Sequence, residues 1–216
     1  MTDFAAARRN MVDGQVRTAD VTDLRILSAM LAVPREAFLP PEKAGLAYLD
    51  LDVPVGEGGR RLIKPMVLAK LIQGADLSAT DRVLDLGCAT GYAAAVLARI
   101  AGQVIALEQE PTLASAARAA LAAMPNVTVA TGELAEGWPQ GGPYDAIVVE
   151  GATEISPYTL LQQLKDGGRL VCVLGAGPSA KAMLYRRSGS DCGGRALFDA
   201  AAPLLPGFVK PPEFAF

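Results

Sequence analysis

From Thr80 onward, short and nearly continuous apolar runs alternate with longer stretches whose apolar residues recur at three- and four-residue spacing. The short runs predict strands over 83–87, 103–108, 127–131, 144–149 and 168–174, and the longer ones predict helices over 91–101, 111–123 and 157–164. Runs such as Ala146-Ile147-Val148-Val149 have no polar face, so their sheet is expected to be covered on both sides. Strands alternating with helices in this way build an α/β fold with a doubly wound, mostly parallel sheet. Ligands of such sheets bind outside the carboxyl ends of the strands.

The first part of the chain is less regular. A short helix is expected over 4–12, interrupted by Gly14, and Asp20-Val21-Thr22-Asp23 reads as the start of a second helix with Leu24, Leu27, Met30 and Leu31 on its apolar face. Pro34 ends that helix, 33–41 and 48–59 read as loops, and 65–72 reads as a helix with Pro65 in its first turn. Residues 1–76 are thus expected as N-terminal helices and substrate-side loops packed on a core formed by 77–216. The tail from Gly189 is rich in Gly and Pro but holds strand-like fragments.

The turn after the first core strand carries the chemistry. Asp85-Leu86-Gly87-Cys88-Ala89-Thr90-Gly91 runs from a strand into a helix, and its two glycines allow a sharp turn and a close backbone approach to a ligand. A dinucleotide turn would read G-x-G-x-x-G and would receive a pyrophosphate on the helix N-terminus. Here Ala89 stands at the middle glycine and Asp85 at the strand end would repel phosphate. The pattern suits a nucleoside cofactor with a positive charge and no phosphate, S-adenosyl-L-methionine. Glu108 ends the next strand 23 residues later, where a carboxylate is placed to accept ribose hydroxyls. Gln109 joins it in the candidate cofactor set, and Gly132 and Glu150 also fall at strand ends facing the same crevice.

Composition narrows the function. With 20 Lys and Arg against 23 Asp and Glu, and a net charge of -3, a nucleic-acid partner is not expected. No apolar run is long enough to span a bilayer and the N-terminus has no signal pattern, so the expected compartment is the cytoplasm. Three scattered cysteines suit neither a disulfide framework nor a metal site. The chain has no histidine, which removes the imidazole-based triads and zinc motifs. Methyl transfer tolerates that restriction, because the methyl of a sulfonium is already activated and the protein chiefly positions the reactants.

On these segments the chain resembles the protein-L-isoaspartate O-methyltransferases, a family of class I methyltransferases. The likeness covers roughly residues 20–185 and rests on Val33-Pro34-Arg35-Glu36-Ala37-Phe38-Leu39-Pro40, Ala47-Tyr48-Leu49-Asp50, Pro65-Met66, the cofactor turn with Tyr92 to Ala98, Gly142-Pro143-Tyr144-Asp145-Ala146-Ile147, and Leu161 to Val171. The resemblance implies a seven-strand Rossmann-like methyltransferase sheet and protein repair activity. It also implies that Asp85, Gly87, Cys88, Ala89 and Gly91 meet the methionine part of the cofactor, Glu108 the ribose, and Gly132, Glu133 and Leu134 the adenine. The product would be S-adenosyl-L-homocysteine.

Two positions depart from the family pattern. Where the family has a Thr-Ile-Ser-x-Pro-like segment in its substrate site, this chain reads Arg61-Leu62-Ile63-Lys64-Pro65, with no hydroxyl. Arg60, Arg61 and Lys64 are either an anion-binding substitute or an exposed basic loop. Glu150 stands where the family has a histidine, and is either a base for an amine, hydroxyl or phenol acceptor or a structural acid. Candidate catalytic residues are therefore Glu150, Lys64 and Arg61. The expected function is methyl transfer to an isoaspartyl peptide or another carboxylate. The alternatives are a different small-molecule or protein acceptor with Glu150 as base, and a cofactor-binding protein without catalysis.

Overall fold

The computed structural model describes residues 3–56 and 59–210. Asp3 caps α1 (Phe4–Met11), its side chain accepting the Ala6 N–H at 3.0 Å. Gly14 does not interrupt the winding as expected: a π-turn runs Val12–Val16 and a 3-10 turn Arg17–Ala19. Asp20 then stops it in a left-handed conformation, φ 64°, so the cap expected there is corrected to Asp23, which opens α2 (Leu24–Ala32). Gln73 sets this geometry. Its side-chain carbonyl accepts the N–H groups of Thr22 and Asp23, and its amide donates to the Asp20 carbonyl. The later start rotates the buried face of α2 to Ile26, Leu27, Ala29 and Met30, leaving Leu24 exposed.

Residues 33–46 form two 3-10 turns, Arg35–Phe38 and Pro41–Leu46, in place of the expected loop. A two-residue ribbon pairs β1 (Val53–Pro54) with β2 (Arg61–Leu62), and α3 (Pro65–Ala75) follows.

The core elements are β3 (Arg82–Leu86), α4 (Tyr92–Leu97), β4 (Gln103–Glu108), α5 (Pro111–Leu121), β5 (Val127–Thr131), β6 (Tyr144–Thr153), α6 (Tyr158–Leu161), β7 (Leu164–Leu174), β8 (Lys181–Ser188) and β9 (Asp191–Asp199). The sheet order is β5-β4-β3-β6-β7-β8-β9. The first five strands in that order are parallel, and β8 and β9 extend the sheet antiparallel. The helix expected over 157–164 shrinks to one turn, because the Gln163 carbonyl already accepts the Tyr144 N–H and draws the chain into β7.

Strand residues alternate between two buried layers. Val83, Val104, Ala106, Val148 and Val171 face α3, α4 and the N-terminal helices, while Leu84, Leu86, Leu107, Ile147, Val149 and Leu170 face the layer that holds Leu160 and Leu161 of α6. Burial on both faces is what the absence of a polar face in the strands predicts. The N-terminal region is also tied to the cofactor turn directly: Thr90 Oγ1 donates to the Phe38 carbonyl at 2.6 Å, and Phe38 meets the edge of the Tyr92 ring.

Candidate active site

Register brings two acids level with the glycine turn and sets a third two positions behind them. Leu86 of β3 lies beside Leu107 of β4 and Val149 of β6, so Gly87, Glu108 and Glu150 lie level where β3 and β4 end, while β6 runs on to Thr153 and Asp85 precedes Leu86. Asp85, Glu108 and Glu150 are all buried there. The turn from β3 is pinned by Gly87 and Cys88 N–H bonds to the Leu107 carbonyl, 2.9 and 3.0 Å. Its left-handed positions are Gly87, Ala89 and Gly91, at φ 80°, 51° and 95°. Ala89 bears this conformation at a cost of about 1–2 kcal/mol, offset by its N–H bond to Glu108 at 2.7 Å.

The two glycines of the turn have different work. A Cβ on Gly87 would lie 2.9 Å from Arg60 Nη2 and 3.3 Å from Leu205 Cδ2, so its bare Cα is what lets Arg60 and Leu205 close on the turn. A Cβ on Gly91 would lie 2.7 Å from Leu121 Cδ1, so Gly91 serves the packing of α5 against the turn. Cys88 is a buried thiol, raised well above its usual pKa by burial first and then by the surrounding acids.

Glu108 is saturated. Oε1 accepts the N–H groups of Gln109 (2.9 Å) and Glu110 (3.1 Å), and Oε2 accepts the Ala89 N–H (2.7 Å). Arg60 reaches both oxygens, Nη2 to Oε2 at 3.0 Å and Nε to Oε1 at 3.4 Å, and Nη2 also donates to the Gly87 carbonyl at 2.6 Å. Arg60 is 5% exposed, so of the two readings of the basic segment neither describes it. The Gln109 side chain accepts the Leu134 N–H at 3.4 Å, joining the ends of β4 and β5. Gly132, beside it, faces the ring of Trp138, the only tryptophan of the chain, while Glu133 is exposed.

Asp85 and Glu150 form the second half of the cluster. Neither Asp85 oxygen has a well-formed hydrogen bond from an N–H or hydroxyl among the described residues, and the Ala94 backbone N–H acts on it only to favour its ionised form. What faces Asp85 is the Glu150 carboxyl, and two carboxyls bond only when one carries a proton. Burial first, then the negative charge of Glu108, pushes Asp85 up to about 7, and burial and Asp85 together push Glu150 well above the usual range. The pair therefore holds a proton, and the direction of the shifts places it on Glu150, which makes Glu150 a donor toward Asp85.

Arg61 and Lys64 lie elsewhere. Arg61 Nη1 donates to the Asp52 carbonyl (3.2 Å) and the Lys64 N–H to Asp52 Oδ1 (2.8 Å), so this segment is held to β1. Two contributors carry no local sequence signal. Arg35 is fully buried, stacks 4.6 Å above the Tyr92 ring and donates to the Ile63 carbonyl at 2.9 Å, which fixes the stretch after β2. The segment 203–208 crosses the carboxyl end of β6 through Ala152 N–H to the Pro203 carbonyl (2.8 Å), Leu205 N–H to the Ala152 carbonyl (3.0 Å) and Glu154 N–H to the Phe208 carbonyl (2.9 Å). Leu205 is buried against Gly87 and Gly151. A cleft of about 270 Å³ opens between Arg60, Glu108, Gln109, Glu110 and Pro206. A larger surface depression, about 570 Å³ at Leu24, Arg25, Ser28 and Arg99, holds none of the clustered acids.

Comparison with known proteins agrees with this geometry. Residues 7–195 match the family described as Protein-L-isoaspartate(D-aspartate) O-methyltransferase (PCMT). Protein-L-isoaspartate O-methyltransferase 1 of Rhodopseudomonas palustris (strain HaA2) is 46% identical over 185 residues, covering 85% of this chain and 75% of that protein. A solved protein-L-isoaspartate O-methyltransferase superposes with a TM-score of 0.79 at 26% identity, covering 93% of this chain and 66% of that one. A Plasmodium falciparum protein in complex with S-adenosyl-L-homocysteine shares the fold at a TM-score of 0.75 and 17% identity, covering 95% of this chain and 99% of its own. Sheet order, the glycine turn and the sequence match over most of the chain converge, and the chain belongs to the protein-L-isoaspartate(D-aspartate) O-methyltransferase family.

Proposed function

We propose that this chain is an S-adenosylmethionine-dependent methyltransferase whose acceptor is the carboxylate of an isoaspartyl peptide or protein. The observation that carries the reading is the buried Asp85–Glu150 pair beside the bare face of Gly87. Asp85 oxygens without donors fit a ligand that brings its own donors and a positive charge. Glu108, at the end of the neighbouring strand, fits the ribose, and Gln109, Gly132, Glu133 and Leu134 line the adenine side of the same edge. When bound, the cofactor supplies a methyl already activated on a sulfonium.

The chain's own residues then have limited tasks. The crevice at the strand ends withholds water, and the glycine turn fixes where the nucleoside lies. A carboxylate nucleophile has no proton to lose, so its methylation requires no base, consistent with a chain that has no histidine. Glu150, raised well above the usual carboxylate range and sharing its proton with Asp85, presents less negative charge to such an acceptor than a free carboxylate would. Arg61 and Lys64 are proposed to attract the acceptor's negative charge from the β2 side. The unpaired cysteines suit the cytoplasm, and no helix among the described residues is long and apolar enough to cross a membrane.

The test is the chemistry of the product. A methyl ester formed on a carboxylate releases methanol in mild base, whereas a methyl on an amine or phenol stays. Base-labile label on an isoaspartyl peptide supports the proposal; base-stable label would transfer the site to a different acceptor with Glu150 as base.

A further inference from the structure

Arg60 stands where a nucleoside would have to bind. A carboxylate offers about four lone-pair sites, and three of those on Glu108 are already filled by the N–H groups of Ala89, Gln109 and Glu110. Arg60 Nη2 takes the remaining direction on Oε2 at 3.0 Å, and the same nitrogen lies 2.9 Å from the position a Cβ would have on Gly87. The guanidinium thus closes at once the acceptor suited to a ribose hydroxyl and the bare backbone suited to close approach. It does so as a buried cation held from a strand 48 residues distant in sequence, and it has no other carboxylate partner among the described residues.

We propose that Arg60 is an internal competitor for the nucleoside site, and that cofactor binding is an exchange in which its guanidinium leaves Glu108 and the Gly87 carbonyl as the ribose arrives. This rests on the cofactor reading above. The exchange has two consequences. Free protein is stabilised by the Arg60–Glu108 pair, and that same interaction is subtracted from the affinity for any nucleoside ligand. Because the Arg60 pair is broken before the ligand's sulfur matters, the subtraction is the same for S-adenosylmethionine, which carries a sulfonium, and for S-adenosylhomocysteine, which does not.

The experiment is calorimetric titration of both nucleosides into wild type, Arg60→Met and Arg60→Lys, with thermal unfolding of each free protein. Arg60→Met keeps the apolar stem and removes the fork; it is expected to tighten both nucleosides by the same factor, about 10- to 100-fold, the worth of one charge-assisted hydrogen bond, while lowering the melting temperature of the free protein. Arg60→Lys, which keeps a cation and guards against a folding failure of the first variant, is expected to tighten both by a smaller factor. Unchanged or weaker binding in the variants overturns the exchange, because Arg60 would then be a bystander or a ligand of the cofactor. Tightening of S-adenosylmethionine alone also overturns it, since that result means Arg60 stays in place and repels the sulfonium. A wild type and variants that bind neither nucleoside would instead overturn the cofactor reading itself.

Discussion

Asp85 on β3 and Glu150 on β6 turn their carboxyls toward each other, both buried on neighbouring parallel strands. Two carboxyls in that position share a proton, and the shared proton makes the stability of the fold depend on pH. Asp85 titrates near 3.8 in the unfolded chain and about 7 in the fold, and Glu150 is also raised well above its ordinary value. As pH rises past about 4 the unfolded chain gives up these protons first, so the stability contributed by the pair falls between about pH 4 and pH 7. Urea unfolding across that window should show the decline in wild type. In Glu150→Gln, whose amide donates to an ionised Asp85, the decline should flatten.

The same variant separates the two roles of Glu150. Loss of a general base costs about 10²–10⁴ in rate, whereas replacing a neutral donor by an amide keeps the donor. Glu150→Gln is expected to slow transfer to an isoaspartyl peptide by less than about tenfold. Steady-state kcat at neutral pH measures it.

Asp85 and Glu108 are both proposed to face the cofactor, and on that proposal Asp85→Ala is expected to weaken S-adenosylmethionine binding by about 1–3 kcal/mol, the cost of a lost charged hydrogen bond. Glu108→Ala is expected to lose affinity by a smaller margin and stability by a larger one. It removes the acceptor together with its competitor Arg60, but leaves Arg60 and three N–H groups without their partner. Calorimetry paired with urea unfolding distinguishes the two patterns.

Gly87→Ala should injure both properties. Its φ of 80° penalises any Cβ by about 1–2 kcal/mol, and that Cβ would stand in the face that the ligand approaches. Unaltered cofactor affinity in this variant would remove Gly87 from the site.

The segment 203–208 should prove structural. Leu205 is fully buried, and a Cβ on Gly151 would come within 2.6 Å of its Cγ. Leu205→Ala is expected to lose about 2–5 kcal/mol of stability, the range for a buried leucine, as read from the urea midpoint.

How far these features can be read from sequence depends on the range of the interactions that make them. Asp85, Gly87 and Glu108 are legible because strand, turn and strand end are local patterns, and the apolar runs betray a sheet buried on both faces. Asp20 reads as the cap in sequence because an acid follows it three residues on; the side chain of Gln73, some fifty positions away, decides for Asp23. Gly91 reads as a ligand glycine, and the structure adds a packing reason that the sequence does not show, since a Cβ there would meet Leu121 of α5. Arg60 looks like part of an exposed basic loop because its partner Glu108 is known only after folding. Glu150 can be placed at its strand end from periodicity, but its protonation follows from burial beside Asp85, which periodicity does not report. β6 runs past Val149 and α6 stops short of 164 for the same reason: Pro203 and Tyr144 set those ends from outside the local pattern.

The most direct test of the account is transfer of labelled methyl from S-adenosylmethionine to an isoaspartyl peptide and to its aspartyl isomer in one preparation. The account predicts base-labile label on the isoaspartyl peptide in clear excess over the aspartyl control. Equal labelling of the two, or tight cofactor binding with label on neither, would contradict it.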